Sequence, residues 1–220
     1  MGRNDWFQST SWTDAERERF EQKLSRARRA NRPGYLRVQG TILTESDDPG
    51  LREAGRELLR RAIRDDESDW PLEAQWARMN LGKALAREGM LDEAERCYRE
   101  CARTQEEHGG YGVNTDCHLG LAEVLLRRSP GDRAAADQAA AALDKASELN
   151  PPLFQSEIWR FSSALARVAA ARGDCERARH WAKEALDIAA LDKPLAPRHP
   201  GVGLARPAPE DRDEMERLAS

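Results

Sequence analysis

An all-α chain of tandem helical hairpins is the fold class this sequence predicts, and three observations carry it. Ala is abundant while Val, Ile and Thr are sparse, which favours helix over strand. Charged residues make up 34 % of the chain and alternate in sign along apolar-periodic segments, the pattern of a solvated helix surface. Gly-containing turns then separate segments whose apolar residues recur at helical spacing. The clearest pair, LGKALAREGMLDEAERCYREC at Leu81–Cys101, has small residues wherever two helices must approach closely.

The elements follow in order. Residues 1–12 carry Trp6, Phe7 and Trp12, which are expected to fold back and plug the end of the helical array. Thr13 and Glu16 form a capping box that opens a helix running to about Ala30, with Ala15, Phe20, Leu24 and Ala27 on one face. Tyr35–Ser46 and Leu51–Arg64 are the next two helices, joined by a turn at Ser46–Gly50. A polar break at Asp65–Asp69 and a restart at Trp70-Pro71 lead to helices Leu72–Glu88 and Leu91–Glu107. His108–Gly112 is a joint, and Asn114 or Thr115 caps a helix ending at Arg128. A turn at Ser129–Asp132 precedes the Ala-rich helix Arg133–Leu149, which Asn150 and two prolines terminate. Glu157–Arg172 and Cys175–Ala190 form the last hairpin around Gly173-Asp174. From Pro194, Pro and Gly dominate an extended tail, in which Glu210–Ala219 reads as one short helix able to dock through Met215 and Leu218.

Bulk properties exclude several classes. A net charge of -4 with no basic stripe argues against nucleic-acid binding. No stretch approaches the roughly 18 apolar residues of a membrane span, and no signal-peptide pattern opens the chain. The bias of 30 Arg against 5 Lys, with much Ala, points to a GC-rich bacterial source and the cytoplasm. Cys97, Cys101, Cys117 and Cys175 form no CxxC pair and read as small core residues of a reducing compartment. Cys97, Cys101, Cys117 and His118 were weighed as a zinc cluster, but Cys101 occupies a packing position. No nucleophile motif or phosphate-cradling loop accompanies the four histidines. The expectation is therefore no catalysis, no cofactor and no metal.

An Ala marks the crowded point of each second helix at Ala54, Ala94, Ala139 and Ala178, with uneven spacings of 40, 45 and 39. Around them, Leu81-Gly82, Leu85, Gly89, Ala94, Tyr98 and Cys101 form one copy of a pattern. Leu165-Ala166, Gly173, Ala178, Ala182 and Ala185 form another, and Gln39-Gly40, Leu43, Leu58, Ala62 and Leu143, Ala146, Pro151 give weaker ones. These residues resemble the tetratricopeptide repeat, whose unit of about 34 residues pairs two antiparallel helices. The resemblance implies a right-handed superhelical solenoid of about four degenerate hairpins over residues 35–193. Residues 1–34 would be an aromatic segment and capping helix, and 194–220 a Pro/Gly-rich tail.

It also implies a concave groove lined by the first helices. Its expected partner-binding residues are Arg37, Trp76, Met79, Asn80, Lys83, Arg87, Arg160 and Arg167, with Thr41, Glu123 and Arg127 beside them. That set is net basic, which suits a protein or peptide partner of acidic character. The opposing expectation is that these arginines pair with neighbouring acids. The function expected is a non-catalytic protein- or peptide-binding adaptor, with no nucleic acid and no membrane. The alternatives are a self-associating assembly module, which leaves homo-oligomers open, or a regulatory partner of immunity or sensor type.

Overall fold

The structure is a computed structural model that describes residues 5–66, 71–107, 116–149, 151–192 and 203–220. Its helices are α1 (Asp14–Arg26), α2 (Arg32–Thr44), α3 (Pro49–Asp65), α4 (Leu72–Arg87), α5 (Leu91–Glu107), α6 (Cys117–Arg128), α7 (Arg133–Leu149), α8 (Gln155–Ala171), α9 (Cys175–Ala189) and α10 (Pro209–Ala219). Short 3₁₀ turns occupy Asp5–Phe7 and Arg29–Asn31, and no strand occurs among the described residues. The expected Trp70 restart, the 108–112 joint, the Asn114 or Thr115 cap, Asn150 and the 194–202 part of the tail lie outside the described residues. The chain divides into two compact units, Met1–Cys117 and His118–Ser220.

In the first unit the starts of α1, α2 and α3 have local causes. The Thr13 hydroxyl accepts the Glu16 N–H at 3.3 Å while the Glu16 carboxylate accepts the Thr13 N–H at 2.8 Å, closing the expected capping box. α1 stops at Arg26 rather than Ala30, because Ala27 turns extended and Arg32 reaches back to the carbonyls of Ser25 and Ala27. α2 begins at Arg32, earlier than expected, since Pro33 is well placed in a first turn. Asp48 caps α3 by accepting the N–H groups of Gly50 and Leu51 at 2.7 and 3.1 Å. Helices pack in chain order, α2 on α3, α3 on α4 and α4 on α5, and α2 also lies beside α4.

The second helices carry the true period. α3, α5, α7 and α9 begin at Pro49, Leu91, Arg133 and Cys175, each 42 residues after the last. Gly89, Gly131 and Gly173, which make the intervening turns at φ of 79°, 75° and 77°, keep the same interval. In this register Leu59, Cys101, Leu143 and Ala185 are equivalent and all buried. So are Gly40, Gly82, Val124 and Ala166 of the first helices. The uneven alanine spacings read from the sequence are thereby replaced. Ala54 is only half-buried, and the crowded point of α3 is Gly55. A Cβ on Gly55 would lie 2.7 Å from the Gly40 carbonyl oxygen, so α2 and α3 meet backbone against backbone.

In the second unit α7 packs on α8, α8 on α9, and α10 on both α9 and α8. This repeats how α4 meets α3 and α2, so α10 takes the place of a further first helix. Met215 is fully buried in a core with Trp159, Ala166, Ala182, Ala185 and Ala205, and Leu218 packs against it. The end of the tail is thus a docked element. α6 differs from the other first helices: residues 117–126 are all buried except Glu123.

Candidate partner-binding face

On α4 the residues Glu73, Trp76, Asn80, Lys83 and Arg87 recur every three or four positions and remain at least partly exposed. Ala74, Gln75, Ala77, Leu81, Gly82, Ala84 and Leu85 on its other sides are buried. A solvent-facing stripe therefore runs the length of the helix. Met79 does not belong to it. It is 4 % exposed and points into the packed side of α4, which removes it from the expected contact set. A Met one position before Asn80 cannot share its stripe at 100° per residue.

α2 supplies the second edge. Arg37 Nε donates to Glu73 Oε2 at 2.5 Å, joining the two helices near their starts. Asn80 Nδ2 donates to the Thr41 hydroxyl at 2.8 Å, and that hydroxyl donates to the Arg37 carbonyl at 2.8 Å. Arg87 donates to the Thr44 carbonyl at the far end. Lys83 pairs with Asp116 at 3.2 Å, with its own side chain 46 % exposed. Beside Arg37 and Glu73 lies an open cleft of about 250 Å³, lined by Phe7, Ala30, Asn31, Gly34, Tyr35 and Val38.

The second unit holds Arg160 and Arg167. Arg160 grips Glu123 of α6 with two bonds of 2.8 and 2.6 Å. Arg167 reaches Glu214 and Asp211 of α10, each at 2.7 Å. Burial works against the Arg167 charge, but these two acids outweigh it and hold its pKa above the ordinary value. Arg37, Lys83, Arg160 and Arg167 therefore each have an acidic partner, whereas Arg87 meets the Thr44 carbonyl, so four of the five expected cations are electrostatically compensated.

The sequence reading missed Gln39, Glu73, Asp116 and Glu214. Glu73 was findable, since it extends the 76, 80, 83, 87 series by one turn. Gln39 and Glu214 act across 30 and 47 residues and leave no local signal. Among the cysteines, burial foremost pushes the Cys97 thiol up to about 11, so it stays protonated at neutral pH. Cys101 Sγ donates to the Gln75 carbonyl at 3.7 Å, and Cys117 Sγ lies 3.0 Å from Gln105 Oε1. Among the described residues no three His, Cys, Asp or Glu side chains are gathered as a metal-holding set. No helix among them is long and apolar enough to cross a membrane.

The fold has a solved counterpart. The crystal structure of BtubC (BKLC) from P. vanneervenii is similar to this chain with a TM-score of 0.61 at 17 % identity. The match covers 94 % of this chain and 82 % of that one. No family model matches the chain, and no curated protein does. At this identity the likeness speaks to the helical fold alone.

Proposed function

We propose that this protein is a non-catalytic scaffold of the bacterial cytoplasm that binds a protein or peptide. In this reading the hairpins are tetratricopeptide-like and form a right-handed superhelix whose concave side includes the α2–α4 face. The observation that supports it best is the stripe of Trp76, Asn80, Lys83 and Arg87 along α4, an aromatic residue and three polar side chains that stay at least partly exposed on a mostly packed helix. Half-exposed Trp and Arg are the residue types that dominate binding energy at interfaces. Because most of the cations are compensated, the partner reads shape and hydrogen-bond pattern as much as charge. An acidic segment would exchange for Asp116 on Lys83.

Affinity capture from the native host tests this. Wild type and a Trp76→Ala/Lys83→Glu variant are compared under identical loading, and partner capture is expected to fall at least tenfold in the variant. Equal capture by both sinks the face. Arg167 is unsuited to this test, since its replacement would also remove two ion pairs to α10.

One observation favours a second reading. Leu153, Phe154 and Leu191 of the second unit are 61, 39 and 46 % exposed. They support self-association through the end of the α8–α9 hairpin. Light scattering decides it: a wild-type monomer at tens of micromolar removes self-association.

A further inference from the structure

The N-terminal segment is seated on the first unit as a peptide would be. Gln39 of α2 is fully buried, and its amide is used entirely on one residue of that segment. Its Oε1 accepts the Ser9 N–H at 2.9 Å and its Nε2 donates to the Ser9 carbonyl at 2.7 Å. An amide side chain thus pairs with the segment's main chain as a neighbouring strand would. Before this point, Trp6 lies 4.8 Å from the Tyr35 ring and 5.3 Å from Phe20, and Phe7 lies 4.8 Å from Tyr35. After it, the Ser9 and Ser11 hydroxyls donate to Glu16. The contact combines aromatic anchors with backbone reading.

We infer that the α1–α2 surface built from Phe20, Tyr35 and Gln39 is a peptide-binding site whose resting occupant is the chain's own residues 5–12. The partner it fits is a segment of another protein carrying two adjacent aromatic residues in a 3₁₀ turn and a small hydroxyl residue two positions on. The residues of the chain itself define that chemistry, since Trp6, Phe7 and Ser9 fill the site. A buried glutamine committed to main-chain atoms accepts any residue at the Ser9 position that keeps its N–H. The tether gives the resident segment an effective concentration of order millimolar, so a free ligand binds well only once that segment loosens. The site adjoins the α2–α4 stripe through the cleft that Phe7, Tyr35, Arg37 and Glu73 line, but its test does not depend on that stripe having a partner.

The probe is a fluorescein-labelled peptide of residues 5–13, titrated by anisotropy onto the full chain. Two variants loosen the resident segment: Trp6→Ala/Phe7→Ala removes its anchors, and Ser9→Pro removes its N–H while leaving the rings in place. Circular dichroism identifies which of them keep wild-type helicity, and those are used. The peptide is expected to bind a loosened variant at least about tenfold tighter than wild type. Adding Gln39→Leu is expected to abolish that gain. Failure of a helical, loosened chain to bind the peptide overturns the proposal, as does equal binding with Leu at position 39. A wild-type dimer formed by exchange of this segment, seen by light scattering, would also overturn it and make a second copy the occupant.

Discussion

The α2–α3 and α4–α5 hairpins solve the same packing problem with different chemistry. Both place a glycine at the equivalent position of the first helix, Gly40 and Gly82, 42 residues apart. Facing Gly40 is the backbone of Gly55, so two main chains touch. Facing Gly82 is the ring of Tyr98, whose nearest atom would be 3.0 Å from an added Cβ. One hairpin closes by removing side chains from both helices, the other by laying a large ring into the space that a missing side chain leaves. A shared register therefore fixes the position of a small residue without fixing what fills the opposite side.

The largest effect should come from the ring. Tyr98→Ala removes a buried aromatic, 2 % exposed, and leaves Gly82 facing a void. A loss of about 3–5 kcal/mol is expected, measured by urea unfolding followed by circular dichroism. A loss below about 1 kcal/mol would mean that the second hairpin collapses around the gap, and that the ring is filler.

Next comes the backbone contact. Gly55→Ala drives a Cβ to 2.7 Å from both the Gly40 carbonyl and the Thr44 nitrogen. Ala is favoured over Gly in a helix by about 1 kcal/mol, but overpacking against immobile backbone costs about 3. A net destabilisation of about 2 kcal/mol follows from those two figures. Gly82→Ala starts with the same helix gain and meets a ring that can shift by tenths of an ångström, so its net effect should lie within about 1 kcal/mol of zero. Equal melting shifts for the two substitutions would erase the distinction between the hairpins.

Glu88 ties the two hairpins together. Its carboxylate accepts Arg52 at 3.0 Å and also pairs with Arg56, whose side chain is 9 % exposed. Glu88→Gln should cost about 1.5 kcal/mol, at the lower end for a charged hydrogen bond, because Arg56 keeps Glu53 as a partner. The loss should disappear in a background already carrying Arg56→Met/Arg52→Met, a double-mutant cycle that reads the network alone. A loss that persists there would place the role of Glu88 in ending α4.

How much of this was legible follows from where each signal sits. α5 and α7 were bounded correctly because a turn precedes each and their apolar faces are regular. The 42-residue period was hidden, since the first hairpin turns at Asp47-Asp48 without a left-handed glycine, and alanines are too common to set a register. Pro33 and Arg32 moved the α1–α2 boundary by acting on main-chain groups, which apolar spacing does not see. At the candidate face helical spacing made the exposure of Trp76, Asn80, Lys83 and Arg87 legible, but not the burial of Met79. The ion pairs of Arg37, Lys83 and Arg167 were not, because Glu73, Asp116 and Glu214 become their neighbours only through packing.

The smallest effect concerns pH, and it separates the hairpins once more. The Arg56 hydrogen bond foremost, against some desolvation, holds the Glu53 carboxyl below its ordinary value of 4.5. A lowered folded-state pKa means that the charged form is favoured by folding, so the contribution is complete above pH 4.5 and fades as pH falls through the folded value. Glu53 is more than half exposed, so the amount is small. Thermal melts of wild type and Glu53→Gln should differ at pH 7, with the gap closing only as pH falls below about 4.5. The same pair of melts in a Tyr98→Leu background should show the same gap, because the groups that lower the Glu53 carboxyl, Arg56 and Arg60, stand on its own helix. A gap that widened on acidification would reverse the sign and assign the acid sensitivity of the first unit to groups other than the Glu53–Arg56–Glu88 tie.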